Sequence, residues 1–300
     1  MTRILLIGGQ GQVGWALQRA LAPLGDVTAP PRLGAPGLAL DLLQPATLDE
    51  AMQRLQPDVI VNASAWNAVD AAESDPAPAF ALNADAPARL AQAAAERNAL
   101  LVHFSTDQVL PGLGDQPQDE DTPPAPLNAY GRSKLAGERA IQASGCRHLI
   151  LRTTWVHSPR RTNFLRAMLA RAAVADRLQV VDDEVGCPTA ADGLADATAH
   201  AVRAVRAQPR LGGLYHCVDA GAVSRFDYVR HLLTEARQLG MPLRTRPDDV
   251  VPVSSAYFAA PAARPLNARL DARRFEATFG LRMSPWQDGV RRTLQALARS

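Results

Sequence analysis

Tyr130 and Lys134 stand four residues apart in Tyr130-Gly131-Arg132-Ser133-Lys134. On a helix, that spacing puts the phenol and the ammonium on one face. The pair suits carbonyl reduction. Hydride addition leaves an alkoxide that must be protonated, and a free phenol with a pKa of about 10 is poorly matched to neutral pH. A neighbouring ammonium favours phenolate and is expected to lower that pKa. It can also hold a nicotinamide ribose. Lys134 is the only lysine; the rest of the 32 Lys and Arg residues are arginine. A compact ammonium and a planar guanidinium are not interchangeable. The single lysine therefore marks a role closed to arginine. Thr106, in Ser105-Thr106-Asp107, adds a hydroxyl that can bond and position a substrate oxygen.

A second group of residues could cradle phosphate. Gly9-Gln10-Gly11-Gln12-Val13-Gly14 fits G-x-G-x-x-G, and with Gly8 it also fits G-x-x-G-x-x-G. Such glycines allow a tight turn, close backbone approach to a pyrophosphate, and close helix packing. The pyrophosphate then rests on a helix N-terminus. A tight turn without ligand is the competing reading, but the loop sits between a strand and a helix, as dinucleotide binding requires. No acidic residue is evident where a ribose 2′-hydroxyl would be read. Arg32 lies where it could meet a 2′-phosphate, so NADPH is expected over NADH. Asp41-Leu42 is a candidate adenine contact.

These residues need a frame. Apolar runs at 3–7, 27–29, 58–62, 100–104, 148–152, 178–181 and 214–218 read as strands. Helical spacing predicts helices over 12–24, 80–98, 130–143, 163–175, 191–207, 226–239 and 286–298. Thr47-Leu48-Asp49-Glu50 has capping-box spacing and should open a helix ending at 55. The stretch 111–127 reads as a loop, and 261–267 as irregular. Alternating strand and helix argue for an α/β protein with a parallel sheet covered on both faces. The ends of its parallel strands are where ligands bind, and Ser105-Thr106-Asp107 falls at one such end.

Composition narrows the function classes. Of 300 residues, 47% are hydrophobic and 21% charged, which fits a globular chain and excludes wholesale disorder. The net charge is +2 with no basic cluster, so neither nucleic acid nor an anionic membrane is an expected partner. Three scattered cysteines make neither a disulfide framework nor a zinc site, and fit a reducing compartment. The apolar start is too short for a signal segment. The cytoplasm is the expected location.

Several segments together resemble the dTDP-4-dehydrorhamnose reductase family of the extended short-chain dehydrogenase/reductase superfamily. They are Gly11-Gln12-Val13-Gly14-Trp15; 57–62; Ala68-Val69-Asp70-Ala71-Ala72-Glu73; Ser105-Thr106-Asp107; 126–131 with Lys134-Leu135-Ala136-Gly137-Glu138; Arg152-Thr153-Thr154-Trp155-Val156; Gly186-Cys187-Pro188-Thr189; and Arg264-Pro265-Leu266-Asn267. The resemblance covers essentially the whole chain. It implies a Rossmann, doubly wound parallel sheet with a smaller C-terminal substrate-binding lobe. Residues 1–155 and about 190–225 would form the NADPH domain; about 156–189 and 226–300 would form the nucleotide-sugar lobe. The implied reaction reduces the 4-keto group of dTDP-4-dehydro-β-L-rhamnose with NADPH or NADH.

By that resemblance Tyr130 is the proton donor, Lys134 tunes it and binds cofactor, and Thr106 joins them. Gly8, Gly11, Gln12, Val13, Asp41, Leu42, Ala65, Trp66 and Asn67 would contact the cofactor, with Arg32 added from its position. Thr106, Asp107, Trp155 and Arg264 would meet the dTDP-sugar. The chain departs from the family at Gln108 and Leu110, where an aromatic pair is usual, at Trp66, Asn67 and His157, and at Glu184, where glutamine is common. A carboxylate at 184 cannot donate as an amide does. These departures keep two alternatives open: a reductase or epimerase of another nucleotide sugar, and a non-catalytic dinucleotide-binding subunit. Some members bind Mg2+ at a dimer interface. Of the matching positions, Ala16 and Pro285 have no ligating side chain and Asp192 does, so no metal is expected. A homodimer is the expected assembly.

Overall fold

The computed structural model describes residues 1–33 and 37–299. Residues 34–36, in the expected NADPH domain, and 300, the last of the expected lobe, lie outside the described residues. The first half runs β1 (Arg3–Ile7), α1 (Gln12–Leu21), β2 (Asp26–Thr28), α2 (Pro45–Leu55), β3 (Val59–Asn62), α3 (Val69–Ser74), α4 (Pro76–Phe80), α5 (Ala86–Glu96) and β4 (Leu100–Thr106). Next come α6 (Ala129–Ala143), β5 (Arg147–Thr153), β6 (Val156–His157), α7 (Phe164–Val174), β7 (Leu178–Val181), β8 (Val185–Gly186), β9 (Thr189–Ala190) and α8 (Ala191–Ala207). The chain closes with β10 (Gly213–His216), β11 (Val223–Ser224), α9 (Arg225–Gln238), β12 (Val250–Val253), β13 (Asn267–Ala268), α10 (Arg273–Phe279) and α11 (Trp286–Ala298).

Six strands form one sheet in the order β10-β5-β4-β3-β1-β2. Every pairing in it is parallel. Alternate strand residues feed opposite faces. Ile4, Leu6, Val59, Val61, Val102 and Leu151 pack toward the side of α1 and α8. Leu5, Ile7, Ile60, Leu101 and Ile150 pack toward α2 and α5. Strand order reverses at β1, with β2 on one side and β3 on the other, and a ligand crevice opens at such a reversal. The glycine loop follows β1 there, and the doubly wound architecture is as expected.

A third cluster gathers α7, α9 and α11 around Leu165, Met168, Leu232, Trp286 and Val290. Around it β7 pairs with β12, and β8 lies between β11 and β13. These pieces occupy the stretches assigned to the lobe. Within 226–300, however, α10 returns to the main sheet: Phe275 and Phe279 stack edge-on against Tyr215 of β10.

Two elements differ from the sequence reading. α2 begins at Pro45, two residues before the proposed cap. The Thr47 hydroxyl bonds the carbonyls of Asp41 and Gln44 rather than capping a helix. The single helix expected over 80–98 is instead α4, a wide π turn at Ala81–Asp85, and α5. Pro87 explains the widening. It has no N–H to give the Asn83 carbonyl one turn back, and π turns of this kind often mark functional sites.

Candidate active site

Tyr130 and Lys134 sit in the first turns of α6, both facing inward; Tyr130 is 9% exposed and Lys134 1%. Asn128 starts this helix. Its Oδ1 accepts the Gly131 N–H at 2.8 Å, while its amide donates to Gln108 Oε1 and to the Ala263 carbonyl. Gly131 is required because a Cβ there would lie 2.2 Å from the Gln108 carbonyl oxygen. Thus Gln108, one of the departures from the family, is built into the helix start.

At the end of β4, Thr106 and Asp107 are both buried. The Thr106 hydroxyl donates to Asp107 Oδ1 at 3.1 Å. Burial pushes Tyr130 up to about 12, the nearby Thr106 hydroxyl opposes this, and the Asp107 charge adds to it. The expected lowering by Lys134 is not what this arrangement produces. Lys134 Nζ turns away to the Phe104 carbonyl at 2.6 Å and to His103 Nε2 at 3.2 Å. Burial likewise raises Asp107 to about 6, against the hydroxyls around it and the charge of Arg225.

The glycine loop fits a dinucleotide. Gly8 has φ +80°, and a Cβ there would lie 2.8 Å from the Ala63 carbonyl group; one on Gly14 would lie 2.1 Å from the Gly8 oxygen. α1 has no side-chain cap and no acidic residue in its first turn, so its first N–H groups are left for an anion. Gly11 is its N-cap, and Gln12 and Val13 form its first turn. The Gln12 side chain is otherwise engaged: it accepts from Ser158 and Asn163, which lie between β6 and α7. Arg32 is exposed, with its guanidinium 3.9 Å from Asp41. Asp41 Oδ1 accepts the Leu43 N–H, and the Leu42 side chain is buried in the core. Ala65, Trp66 and Asn67 follow β3 at the same end of the sheet.

Sequence reasoning missed the residue that joins these two halves. Asn83, in the π turn, bonds both backbone groups of Trp66 at 2.9 Å and donates to Ser133 of α6 at 3.0 Å. Helix α6 comes this close because position 137 is glycine; a Cβ there would lie 2.1 Å from the Asn83 oxygen. Also missed was the Arg152–Glu138 pair, at 2.9 and 2.7 Å, which ties α6 to β5. Both Gly137 and Glu138 lie within Lys134-Leu135-Ala136-Gly137-Glu138, so the signal was present in the motif.

A cleft of about 920 Å3 is lined by Asn67, Phe164, Arg171, Glu184, Arg225 and Arg264, among others. Trp155 has φ +46°, a conformation that side chains rarely adopt and that clusters at functional sites. Its ring lies on Gly186 and beneath the Arg225 guanidinium at 4.1 Å. Glu184 is not a bare charge facing the cleft: it bonds Arg225 Nε at 2.5 Å. Arg264 bonds Asp70 at 2.8 Å and thereby joins the late loop to the start of α3. Asp192, the one carboxylate at the family's metal positions, pairs with Arg292 at 3.0 Å. Among the described residues, no helix is long and apolar enough to cross a membrane.

A parallel sheet with an uncapped glycine-led helix at its reversal, and a Thr–Tyr–Lys set on the next strand end and helix, define a nicotinamide-dependent reductase of the short-chain type. Comparison narrows this. The sequence profile of the RmlD substrate binding domain family matches residues 1–299. The chain is 44% identical over 294 residues to dTDP-4-dehydrorhamnose reductase of Escherichia coli K12, covering 98% of this chain and 97% of that one. It is 39% identical over 292 residues to the Burkholderia thailandensis reductase of the same name, covering 96% of each. The crystal structure of the Bacillus anthracis dTDP-4-dehydrorhamnose reductase with NADP superposes with TM-score 0.88 at 28% identity, over 99% of this chain and all of that one. The chain belongs to the RmlD family.

Proposed function

We propose that this chain reduces the 4-keto group of dTDP-4-dehydro-β-L-rhamnose to give dTDP-L-rhamnose, with NADPH as cofactor. The observation that carries the reading is that Thr106, at the end of β4, and Tyr130 and Lys134, in the first turns of α6, are buried together. The names of the relatives and the NADP in the Bacillus anthracis structure support it. NADPH, when bound, supplies the hydride. Gly8, Gly11, Gln12 and Val13 would hold its pyrophosphate at the start of α1. Arg32 would take the 2′-phosphate, and Asp41 with the Leu42 backbone would border the adenine. Ala65, Trp66 and Asn67 would line the ribose, with Lys134 below it.

Tyr130 gives its proton to the oxygen at C4. Its raised pKa keeps the phenol protonated at neutral pH, so the donor is loaded when substrate arrives. Thr106, whose hydroxyl donates to Asp107, would offer its oxygen lone pairs beside that proton and help seat the substrate oxygen. Trp155 and Arg264 would border the sugar nucleotide in the cleft. The protein works in the cytoplasm, in keeping with its three free cysteines, and as a homodimer, the assembly expected from its family.

The test is NADPH consumption, followed by absorbance, with freshly made substrate and a Tyr130→Phe control. Turnover by wild type and not by the control upholds the reading. Cofactor binding without turnover overturns it. The Glu184–Arg225 pair favours one second reading, a different 4-keto nucleotide sugar, and a substrate panel in the same assay separates the two.

A further inference from the structure

The register of the central sheet sets Asn62 of β3 opposite His103 of β4. Both are 1% exposed. The two ring nitrogens of His103 are both engaged: Nδ1 lies 3.2 Å from Asn62 Nδ2, and Nε2 lies 3.2 Å from Lys134 Nζ. Asn62 Oδ1 accepts the Ser64 N–H at 3.1 Å, so the amide must turn its NH2 to the ring. An NH2 only donates, hence Nδ1 accepts. A neutral imidazole then carries its one hydrogen on Nε2, aimed at the lysine nitrogen. An ammonium would repel that hydrogen; an amine has a lone pair to receive it.

We propose that Asn62 and His103 form a buried support that lowers the proton affinity of Lys134, the Nε2–H of the ring being donated to the lysine once that nitrogen is the neutral amine. One N–H of that amine meets the Phe104 carbonyl at 2.6 Å. The arrangement explains the lone lysine. A guanidinium has no acceptor and is not deprotonated in proteins, so none of the chain's arginines could stand here. Burial pulls in the same direction. It lowers Lys134 to about 8, with the Glu138 charge opposing, and it holds His103 well below the ordinary histidine range, so the ring is neutral. The charged groups nearby are Glu138 on α6 and Arg152 on β5, which bond each other. Tyr130 lies one helical turn away, uncharged at neutral pH. His103 is therefore a positioning residue: it acts through Lys134 and keeps the lysine ready to gain or lose a proton close to neutral pH.

The single lysine makes the test direct. Protein labelled with 15N or 13C in the lysine side chain gives one side-chain resonance, and its shift against pH reports Lys134 alone, without cofactor or substrate. Wild type should titrate about two units below the free lysine value of roughly 10.4. His103→Leu should raise the midpoint by at least about one unit, a tenfold gain in proton affinity. His103→Gln, whose amide can donate from the place of Nε2, should keep it low. A long-range 15N–1H spectrum of wild type, taken above the lysine midpoint, should show the His103 hydrogen on Nε2, and this holds even where the leucine variant fails to fold. A wild-type midpoint near 10, a hydrogen on Nδ1, or a folded leucine variant that moves less than about a third of a unit each overturns the proposal. None of these readings depends on the identity of the sugar.

Discussion

Replacing Glu138 by glutamine should destabilise the protein out of proportion to the one atom changed. Glu138 and Arg152 have side chains only 1% and 3% exposed, and the guanidinium donates from Nε and Nη2 to the two carboxylate oxygens. Its Nη1 already has no partner. Glutamine keeps one acceptor, turns an NH2 toward a donor, and leaves Arg152 as an uncompensated buried charge. Breaking a buried pair on one side costs about 3–5 kcal/mol. The surviving bond puts Glu138→Gln at the lower end, about 3 kcal/mol. With an unfolding entropy of about 2.1 cal/mol/K per residue, 300 residues convert this to a Tm drop of about 5 °C. Differential scanning calorimetry at pH 7 without ligand measures it. Removing both charges, as Glu138→Leu with Arg152→Met, should recover stability to within about 1 kcal/mol of wild type. A shift below about 1 °C for the single variant, or a double variant no better than the single, refutes the reasoning. Because the Glu138 charge also holds Lys134 up, the same variant should lower the lysine midpoint further.

Arg32→Gln should weaken NADPH about tenfold and leave NADH unchanged, since an exposed charge-assisted bond to phosphate lies at the low end of its range; equal effects on both cofactors in a fluorescence titration would remove Arg32 from the 2′-phosphate. Gly137→Ala should cost about 1–3 kcal/mol by overpacking against the Asn83 oxygen, and kcat should fall with it because Tyr130 and Lys134 ride on α6; an unchanged kcat would show that α6 tolerates the shift. Stability should fall as pH drops from about 6 to 5, by about 1.4 kcal/mol per pH unit. His103, His157 and His216 are held neutral by burial, the last two at about 4 and 3, so unfolding takes up three protons in this window. Asp107 and Asp219, raised to about 6 and 7, release two, and half-buried His231 and Glu120 oppose each other. Stability that is flat or rising toward pH 5 in urea titrations would contradict the sign.

The fold was legible where the code is local. Buried strands declare themselves by unbroken Val, Ile and Leu runs, and the glycine loop can sit only between such a strand and its helix. The short strands β8, β11 and β13 are two residues each and were not foreseen. Two residues carry no periodicity, and their pairing is decided by packing between distant segments. β12 was missed for another reason. Val250–Val253 includes a proline, which demotes a run as a strand, but at a sheet edge proline is tolerated. The return of α10 to the main sheet is a contact across about 60 residues and leaves no trace in spacing.

The site shows the same division. Tyr130, Lys134, Thr106 and the glycine loop stood out as candidates because residue type and spacing are legible in the sequence itself. Asn83, Asn128 and His103 did not, because each matters through what it joins. Asn128 shows the consequence most clearly. One of its atoms caps the helix that carries Tyr130, and its amide holds Gln108 beside Thr106 and the Ala263 carbonyl beside the cleft. On the proposed function, a substrate that moves the segment around Ala263 would pull on the cap of the helix that carries Tyr130. Arg264, bonded to Asp70, makes a second tie from that loop to the segment after β3. On the proposed function, filling the cleft and aligning Tyr130 would be coupled through these few fixed hydrogen bonds. That coupling needs no lid, and it gives binding energy from the remote nucleotide a route to the reacting carbonyl.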